Sequence, residues 1–248
     1  MTSPMATLST SRFLFASVKV VVPRGLNTSL FLVINRFARR TTWAHGFMHA
    51  YALWLGVVLL GAVFLAAYGV IWRRRDVRAA ALMVLGGLGT VVALGLNQIV
   101  GHAVKELRPY DTLHHVLVLV PRANDYSFPS DHAVVAGGLV AAVLLVTRRA
   151  PSTPPDHVAN GSRFTKSMVS LAALDIVLAG LLCFARVYVG AHYPGDVVAG
   201  VLLGAIVVLA ISLLRPLLYR LAGVLEPTIL GRLLLRRPAQ LPLGWSPE

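Results

Sequence analysis

Residues 50–72 have the sequence AYALWLGVVLLGAVFLAAYGVIW, a run of 23 residues without a charged side chain. Residues 79–101 form a second uncharged run of 23 residues. At a rise of about 1.5 Å per residue, each run can cross the roughly 30 Å hydrocarbon core of a bilayer. Both runs therefore predict transmembrane helices.

Three further apolar runs resemble these two. They cover residues 133–147, 167–185 and 197–214, and the second of them contains a single charge, Asp175. The run 133–147 is short, but a helix that begins near Pro129 would reach spanning length. We predict an all-α integral membrane bundle with five or six transmembrane helices.

The N-terminal part leaves the sixth span open. Residues 26–40 place apolar side chains on a helical period and end in Arg36, Arg39 and Arg40, which predicts an amphipathic helix on the membrane surface. Residues 13–22 are apolar but contain Lys19, so a sixth span or an uncleaved signal anchor remains an alternative.

Composition supports a membrane protein. Of 248 residues, 56% are hydrophobic and 13% are charged, about half the usual charged share of a soluble domain. The single cysteine, Cys183, excludes an internal disulfide framework and a multi-cysteine metal site. The net charge of +13 would suit nucleic acid, but the basic residues lie at the ends of apolar runs. We therefore expect contact with membrane lipids and none with nucleic acid.

The basic residues also predict an orientation. Thirteen follow the first, third and fifth spans, whereas the two loops 102–132 and 186–196 contain four: Lys105, Arg108, Arg122 and Arg186. The positive-inside rule then places these two loops outside a multi-pass plasma membrane protein. On a five-span count the N-terminal segment, with six basic residues, also lies outside, against that rule.

We divide the chain into three parts. Residues 1–46 are the N-terminal segment, residues 47–218 the transmembrane domain and residues 219–248 a cytoplasmic tail. Within the domain, prolines 151, 154 and 155 together with Gly161 predict a linker over residues 148–167.

Polar residues that are unusual in a membrane protein concentrate in the two outer loops. They form the stretches KELRP (105–109), SFPSDH (127–132) and RVYVGAHYPGD (186–196). Two histidines and two arginines on one face indicate an anion site, because the planar fork of arginine matches phosphate oxygens. Backbone N–H groups near Pro129 and Ser130, where the third span opens, would add donors.

His192 and Asp196 stand four residues apart across a turn. An aspartate beside an imidazole fixes its tautomer, which frees the other ring nitrogen to attack phosphorus. His132 can then act as general acid for the leaving oxygen. Because arginines can carry the developing charge, we expect no metal and no cofactor.

These motifs resemble those of a known family. Arg186-x5-His192-x3-Asp196, together with PSDH at 129–132 and Arg108-Pro109, is similar to the three-part signature of the type 2 phosphatidic acid phosphatase (PAP2) superfamily. FPSDH at 128–132, INRFA at 34–38 and YALW at 51–54 further resemble the bacitracin-resistance type of bacterial undecaprenyl-diphosphatase.

The resemblance implies a role for each site residue. His192 is expected to form a phosphohistidine, Asp196 to orient it, and His132 to protonate the leaving group and later activate water. The remaining candidates are expected to hold the phosphate: Arg108, Arg186, Ser130, Asp131 and Lys105.

Two departures from the family pattern affect the phosphate-binding set. The lysine expected seven residues before Arg108 is Gly101, and Lys105 or His102 could replace it, Lys105 lying on the face of Arg108 if the helix continues. Ala185 replaces the serine expected before Arg186. Asp175 lies roughly 16 Å of helix from Arg186, so we predict a structural pairing for it, with Asn97 or a basic helix end.

We therefore expect a membrane phosphatase that converts undecaprenyl diphosphate to undecaprenyl phosphate at the outer membrane face, in recycling of the cell-wall lipid carrier. The alternative within the class is a phosphatase for phosphatidate, phosphatidylglycerol phosphate or another prenyl phosphate. An alternative from another class is a transporter of a phosphorylated solute, with Asp175 on its path. The oligomeric state stays open.

Overall fold

The computed structural model describes residues 24–74, 76–148 and 158–217. Every regular element in these ranges is helical, as predicted. The elements are α1 (Arg24–Arg40), a 3₁₀ turn (Thr42–Ala44), α2 (His45–Ala50), a π-helical turn (Tyr51–Leu55), α3 (Gly56–Arg73), α4 (Val77–Val104), α5 (Pro109–Thr112), α6 (Asp131–Thr147), α7 (Val158–Tyr188) and α8 (Pro194–Ser212).

Within the described ranges, four stretches are long and apolar enough to cross a membrane. They are Thr42–Arg73, Arg78–Thr112, Arg163–Tyr188 and Pro194–Ser212. The remaining predicted span, the third along the chain at residues 133–147, corresponds to α6, which begins two residues after Pro129 and has 17 residues. The prediction of a helical membrane bundle is confirmed.

The predicted linker is shorter than expected. Helix α7 begins at Val158, so Gly161, Arg163 and Lys166 are helical. The linker prediction is therefore wrong for its second half, because one glycine costs a long helix only about 1 kcal/mol. The prolines that motivated it, and the predicted tail 219–248, lie outside the described residues.

Helices α6 and α8 approach each other closely through glycines. A Cβ atom at Gly137 would lie 2.1 Å from the carbonyl oxygen of Val201, and one at Gly204 would lie 2.1 Å from that of Val134. Small residues permit this backbone contact, as in other membrane helix pairs. The crossing fixes the first turn of α6 beside the first turn of α8.

The helix ends that carry the three polar stretches meet at one end of the bundle, and α1 is attached there. The Asn35 side chain donates to the carbonyl of Leu117 at 2.8 Å and accepts from its N–H at 3.0 Å. Asn27 accepts from the N–H of Gly195 at 2.8 Å. The predicted amphipathic segment is thus a helix bonded to both polar loops, and its place at a membrane surface stays a prediction.

Asp175 is fully buried in α7, and neither carboxylate oxygen has a hydrogen-bond partner among the described residues. The predicted pairing with Asn97 is wrong. The Asn97 amide instead donates to the Pro129 carbonyl at 3.1 Å and to Asp131 at 2.6 Å.

Candidate active site

His192 lies in the loop between α7 and α8 and is 2% exposed. Its Nδ1 is 2.8 Å from the carbonyl oxygen of Ser127. Its Nε2 is 3.2 Å from Nη1 of Arg108 and 3.0 Å from Nη2 of Arg186. The ring is therefore contacted at both nitrogens.

These partners determine the tautomer of His192. A carbonyl oxygen can only accept, so Nδ1 carries the proton and donates to Ser127. A guanidinium can only donate, so the lone pair of Nε2 is directed at the two arginines. Nε2 is thus the ring nitrogen that is free to act as a nucleophile, and it faces the groups that would bind a phosphate.

The charge of His192 is controlled by the same surroundings. Burial, followed by the positive charges of Arg186 and Arg108, lowers the pKa of His192 well below its usual 6.5. Desolvation and nearby like charge both disfavour the imidazolium form. The ring is therefore neutral at physiological pH, as a nucleophile must be.

Asp196 lies behind His192, with Oδ2 3.6 Å from Nδ1. The same oxygen accepts from the Ser127 hydroxyl at 2.5 Å and from the N–H of Tyr193 at 2.8 Å. The nearest acceptor for Nδ1 is therefore the Ser127 carbonyl, at a shorter distance than Asp196. Asp196 places a negative charge close to the ring and anchors Ser127.

The two arginines are held by main-chain carbonyls. Arg108 donates to the carbonyl of Ala191 at 2.9 Å, and Arg186 donates to that of Ala52 at 3.0 Å. Arg108 also pairs with Asp125 at 2.7 Å, whose side chain is 56% exposed. Both arginine residues are 6% exposed, and their guanidinium groups point at the same histidine nitrogen, a geometry that suits an anion at that point.

Buried polar atoms without partners surround this point. Among the described residues, the Ser130 hydroxyl and Nε of Arg186 are buried and make no hydrogen bond. Unsatisfied buried donors are costly, so a bound anion would compensate them. The N–H of Ser130, in contrast, already donates to the Asp196 carbonyl at 3.1 Å, which removes one of the amides predicted to bind phosphate.

His132 stands in the first turn of α6 and contacts the π-helical turn. Its Nε2 lies 3.1 Å from the carbonyl oxygen of Leu53, so Nε2 carries a proton and Nδ1 is left available. The neighbouring carbonyl, of Ala52, is the one that holds Arg186. A π-helical turn shifts carbonyls out of the α-helical ladder, which explains how two adjacent ones can serve the site.

The structure shows the environment of two residues that were predicted to bind phosphate, Lys105 and Asp131. Helix α4 ends at Val104 and Lys105 adopts a left-handed conformation with φ 55°. The predicted helical face shared by Lys105 and Arg108 is therefore wrong, and Lys105 is exposed. Asp131 accepts from Asn97 at 2.6 Å and from Gln98 at 2.9 Å, so its carboxylate joins α6 to α4. Phosphate binding by either residue stays a prediction.

The alternative candidate His102 is exposed on α4, where Nδ1 lies 2.8 Å from the Gln98 carbonyl. Gly101 lies against the site loop, since a Cβ there would come within 3.3 Å of the Phe128 carbonyl. Within the described ranges, no three His, Cys, Asp or Glu side chains are grouped as metal ligands.

Sequence reasoning missed Ser127 and the carbonyls of Ala52 and Leu53. Ser127 was quoted in the second polar stretch without a role, although it contacts both His192 and Asp196. The sequence signal that could have found it is a serine that stands two residues before the PSDH stretch. The carbonyls carry no signal, because every residue has one.

Buried arginines converging on a neutral histidine, at one end of a helical membrane bundle, define a membrane-embedded phosphatase. The sequence profile of the PAP2 superfamily matches residues 80–220. The chain belongs to this superfamily.

Individual proteins are also similar to this chain. An undecaprenyl-diphosphatase of Sulfolobus acidocaldarius is 32% identical over 115 residues, 46% of this chain and 46% of that protein, so the match spans about half of that relative. The undecaprenyl-diphosphatase BcrC of Bacillus subtilis is 29% identical over 160 residues, 64% of this chain and 67% of that one. A crystal structure of a PAP2-type phosphatidylglycerolphosphate phosphatase from Bacillus subtilis shares the fold, with a TM-score of 0.56 at 19% identity over 81% of this chain and 90% of that one.

Proposed function

We propose that the protein hydrolyses undecaprenyl diphosphate to undecaprenyl phosphate and inorganic phosphate through a phosphohistidine at His192. The observation that carries the proposal is the lone pair of Nε2, held between Arg108 and Arg186 with the proton on Nδ1. A nucleophile and two phosphate-binding groups thereby converge on one point.

In the first step, the terminal phosphate lies between the two guanidinium groups, and Nε2 attacks its phosphorus. The N–P bond forms as the bond to the bridging oxygen breaks. His132 takes up a proton at Nδ1 when the anionic head group binds beside it and gives that proton to the bridging oxygen, while Nε2–H stays on the Leu53 carbonyl. The phosphorylated ring is cationic, and Asp196 at 3.6 Å stabilises its charge.

In the second step, water attacks the phosphohistidine. Nδ1 of His132 accepts a proton from that water, the N–P bond breaks, and the electron pair returns to Nε2 of His192. Inorganic phosphate leaves and both histidines regain their first states. The arginines stabilise the charge of each transition state, an effect usually worth about 10²–10³ in rate for one donor.

The choice of substrate rests on two similarities. The named relatives from Sulfolobus acidocaldarius and Bacillus subtilis are undecaprenyl-diphosphatases. A basic site at the end of a membrane bundle suits a lipid whose charged head lies at the interface and whose chain lies in the bilayer. The basic residues around Arg73, Arg74 and Arg78 mark the opposite end of the bundle as cytoplasmic, so we place the site on the outer side of the plasma membrane.

The test is phosphate release by the purified protein in detergent with EDTA, comparing undecaprenyl diphosphate, phosphatidate and phosphatidylglycerol phosphate. The proposal predicts release that EDTA leaves unchanged and that is fastest with undecaprenyl diphosphate. His192→Asn, which has similar size, should abolish release, while His115→Asn in the outer loop should retain it. Fastest release from a glycerolipid would overturn the substrate, and undiminished release by His192→Asn would overturn the mechanism.

A further inference from the structure

An apolar groove opens directly beside His132. It has a volume of about 330 Å³, which is within the usual size of ligand pockets. One wall comes from the π-helical turn and the start of α3, and the other from the first turns of α6. Its lining comprises Leu53, Trp54, Val57, Val58 and Val135, with His132 and Asp131 at its polar end.

The polar end of the groove is the end that touches the leaving group. Phosphoryl transfer requires the attacking and leaving atoms to lie roughly in line. With Nε2 of His192 on one side of phosphorus, the leaving oxygen lies on the other, within reach of its proton donor. Since that donor is His132, the chain attached to the leaving phosphate must begin beside His132.

The rest of the groove suits hydrocarbon. Its remaining lining is apolar except for Asp131, whose Oδ1 is occupied by Asn97 and Gln98 of α4. Trp54 and Val58 are each 57% exposed, so the groove opens outward on the surface that faces lipid. A chain bound here therefore stays in an apolar environment from the site to the bilayer.

We propose that this groove binds the first isoprene units of a polyprenyl diphosphate and that it gives the enzyme its preference for long-chain substrates. The proposal rests on the proposed function above. It assigns a role to the YALW stretch: Leu53 and Trp54 form the wall, while the same turn supplies the carbonyls that hold His132 and Arg186. Chain recognition and catalysis thus share one turn of helix.

The experiment compares two substrates with the same head group, undecaprenyl diphosphate and methyl diphosphate, which carries no isoprene unit. Val58→Trp and Val135→Phe fill the groove and should lower kcat/KM for the long chain about 10-fold, the value of roughly two buried methylenes. Hydrolysis of methyl diphosphate should stay unchanged. The matched control is Val177→Trp on α7, where the native side chain is 67% exposed and lies outside the groove.

A second measurement removes any dependence on folding of the bulky variants. Cys183 is the single cysteine, so Val58→Cys in a Cys183→Ser background can be alkylated after purification with maleimides of increasing size. Larger adducts should progressively lower only long-chain hydrolysis, and adducts at Val177→Cys should have no effect.

The outcomes separate the two proposals. If the variants and adducts hydrolyse both substrates with the same chain preference as the unmodified enzyme, the proposal for the groove is wrong and the proposed phosphatase function stands. Equal loss on both substrates would also overturn the groove as a chain site. Failure of the unmodified enzyme to release phosphate from either diphosphate would overturn the proposed function and, with it, the groove.

Discussion

His192 has a tautomer and a charge that are both fixed by neighbours outside its own loop. The Ser127 carbonyl accepts a hydrogen bond from Nδ1–H, and burial together with the positive charges of Arg186 and Arg108 keeps the ring neutral. In the proposed mechanism, the same arginines bind the substrate and prepare the nucleophile. Removing one of them should change the pH dependence of the reaction as well as its rate.

The pH dependence follows from the sign of the pKa shift. Attack requires neutral His192. On the acid limb of the pH profile, activity is therefore lost as the pH falls through the pKa of that ring, which lies below 6.5. Arg108→Gln removes a nearby positive charge and should raise this pKa, moving the acid limb of kcat/KM to higher pH. The measurement is a pH–rate profile of both proteins on the same substrate, so that substrate ionisation cancels.

Arg122→Gln is the control for this profile, because Arg122 is exposed and contacts the Tyr110 ring instead of His192. Its acid limb should coincide with that of the unmodified enzyme. An acid limb of Arg108→Gln that is unchanged or shifted downward would contradict the electrostatic account of His192.

Ser127 is a positioning residue in this account. Ser127→Ala deletes the 2.5 Å hydrogen bond to buried Asp196 and should lower kcat by about 10- to 100-fold, the value of one hydrogen bond to a charged group. KM should change little, because the arginines are untouched. Ser130→Ala removes a buried hydroxyl that has no partner in the structure and that we propose donates to the phosphate, so it should instead raise KM. An effect of Ser127→Ala on KM alone would refute the positioning role.

At the residue scale, the sequence identified side chains that the structure brings together, and it missed the main-chain groups that hold them. Its motifs identified His192, His132, Arg108 and Arg186, and the structure places Arg108 and Arg186 against His192, with His132 bonded to the turn that holds Arg186. The prediction that Lys105 and Arg108 share a helical face is wrong because it assumed a continuous helix. Helix α4 ends at Val104, one residue before Lys105. Helix ends are the least predictable part of a helix from sequence.

At the scale of elements, the crossing of α6 and α8 connects the two catalytic stretches. Helix α6 carries His132 and α8 begins two residues after His192, so any separation of these helices alters the site. Only the structure shows which glycines meet backbone atoms of the partner helix.

Gly204→Ala tests this crossing. The added Cβ would lie 2.1 Å from the Val134 carbonyl oxygen, and overpacking of this kind typically costs about 1–3 kcal/mol. We expect a lower Tm in detergent together with a lower kcat. Gly95→Ala is the matched control, since nothing lies within 4 Å of its Cβ position, and it should match the unmodified protein. Equal melting of both variants would contradict the packing account.

The π-helical turn could not be predicted from the sequence. Residues 51–55 have an ordinary apolar composition, and a π turn differs from an α-helix only in hydrogen-bond register. The resemblance in YALW marked the segment, but the use of its carbonyls depends on the tertiary contacts with α6 and α7.

At the scale of the whole molecule, the site lies at the end of the bundle that we assign to the outer side. A cysteine at Arg122, in the exposed part of the outer loop, should react with a membrane-impermeant maleimide in intact spheroplasts of a Cys183→Ser background. A cysteine at Lys166, near the opposite end of α7, should react only after permeabilisation. The reverse labelling pattern would show that the orientation predicted from the basic residues is wrong.

The most direct test of the central claim is isolation of the phosphoenzyme. Purified protein is mixed with undecaprenyl diphosphate labelled in its terminal phosphate, quenched in alkali within one turnover and analysed by peptide mapping. We predict an acid-labile, alkali-stable label on the peptide that contains His192, which is absent in His192→Asn and persists longer in His132→Asn because His132 activates the hydrolytic water. Turnover with no label on His192, or with the label on another residue, would contradict the account.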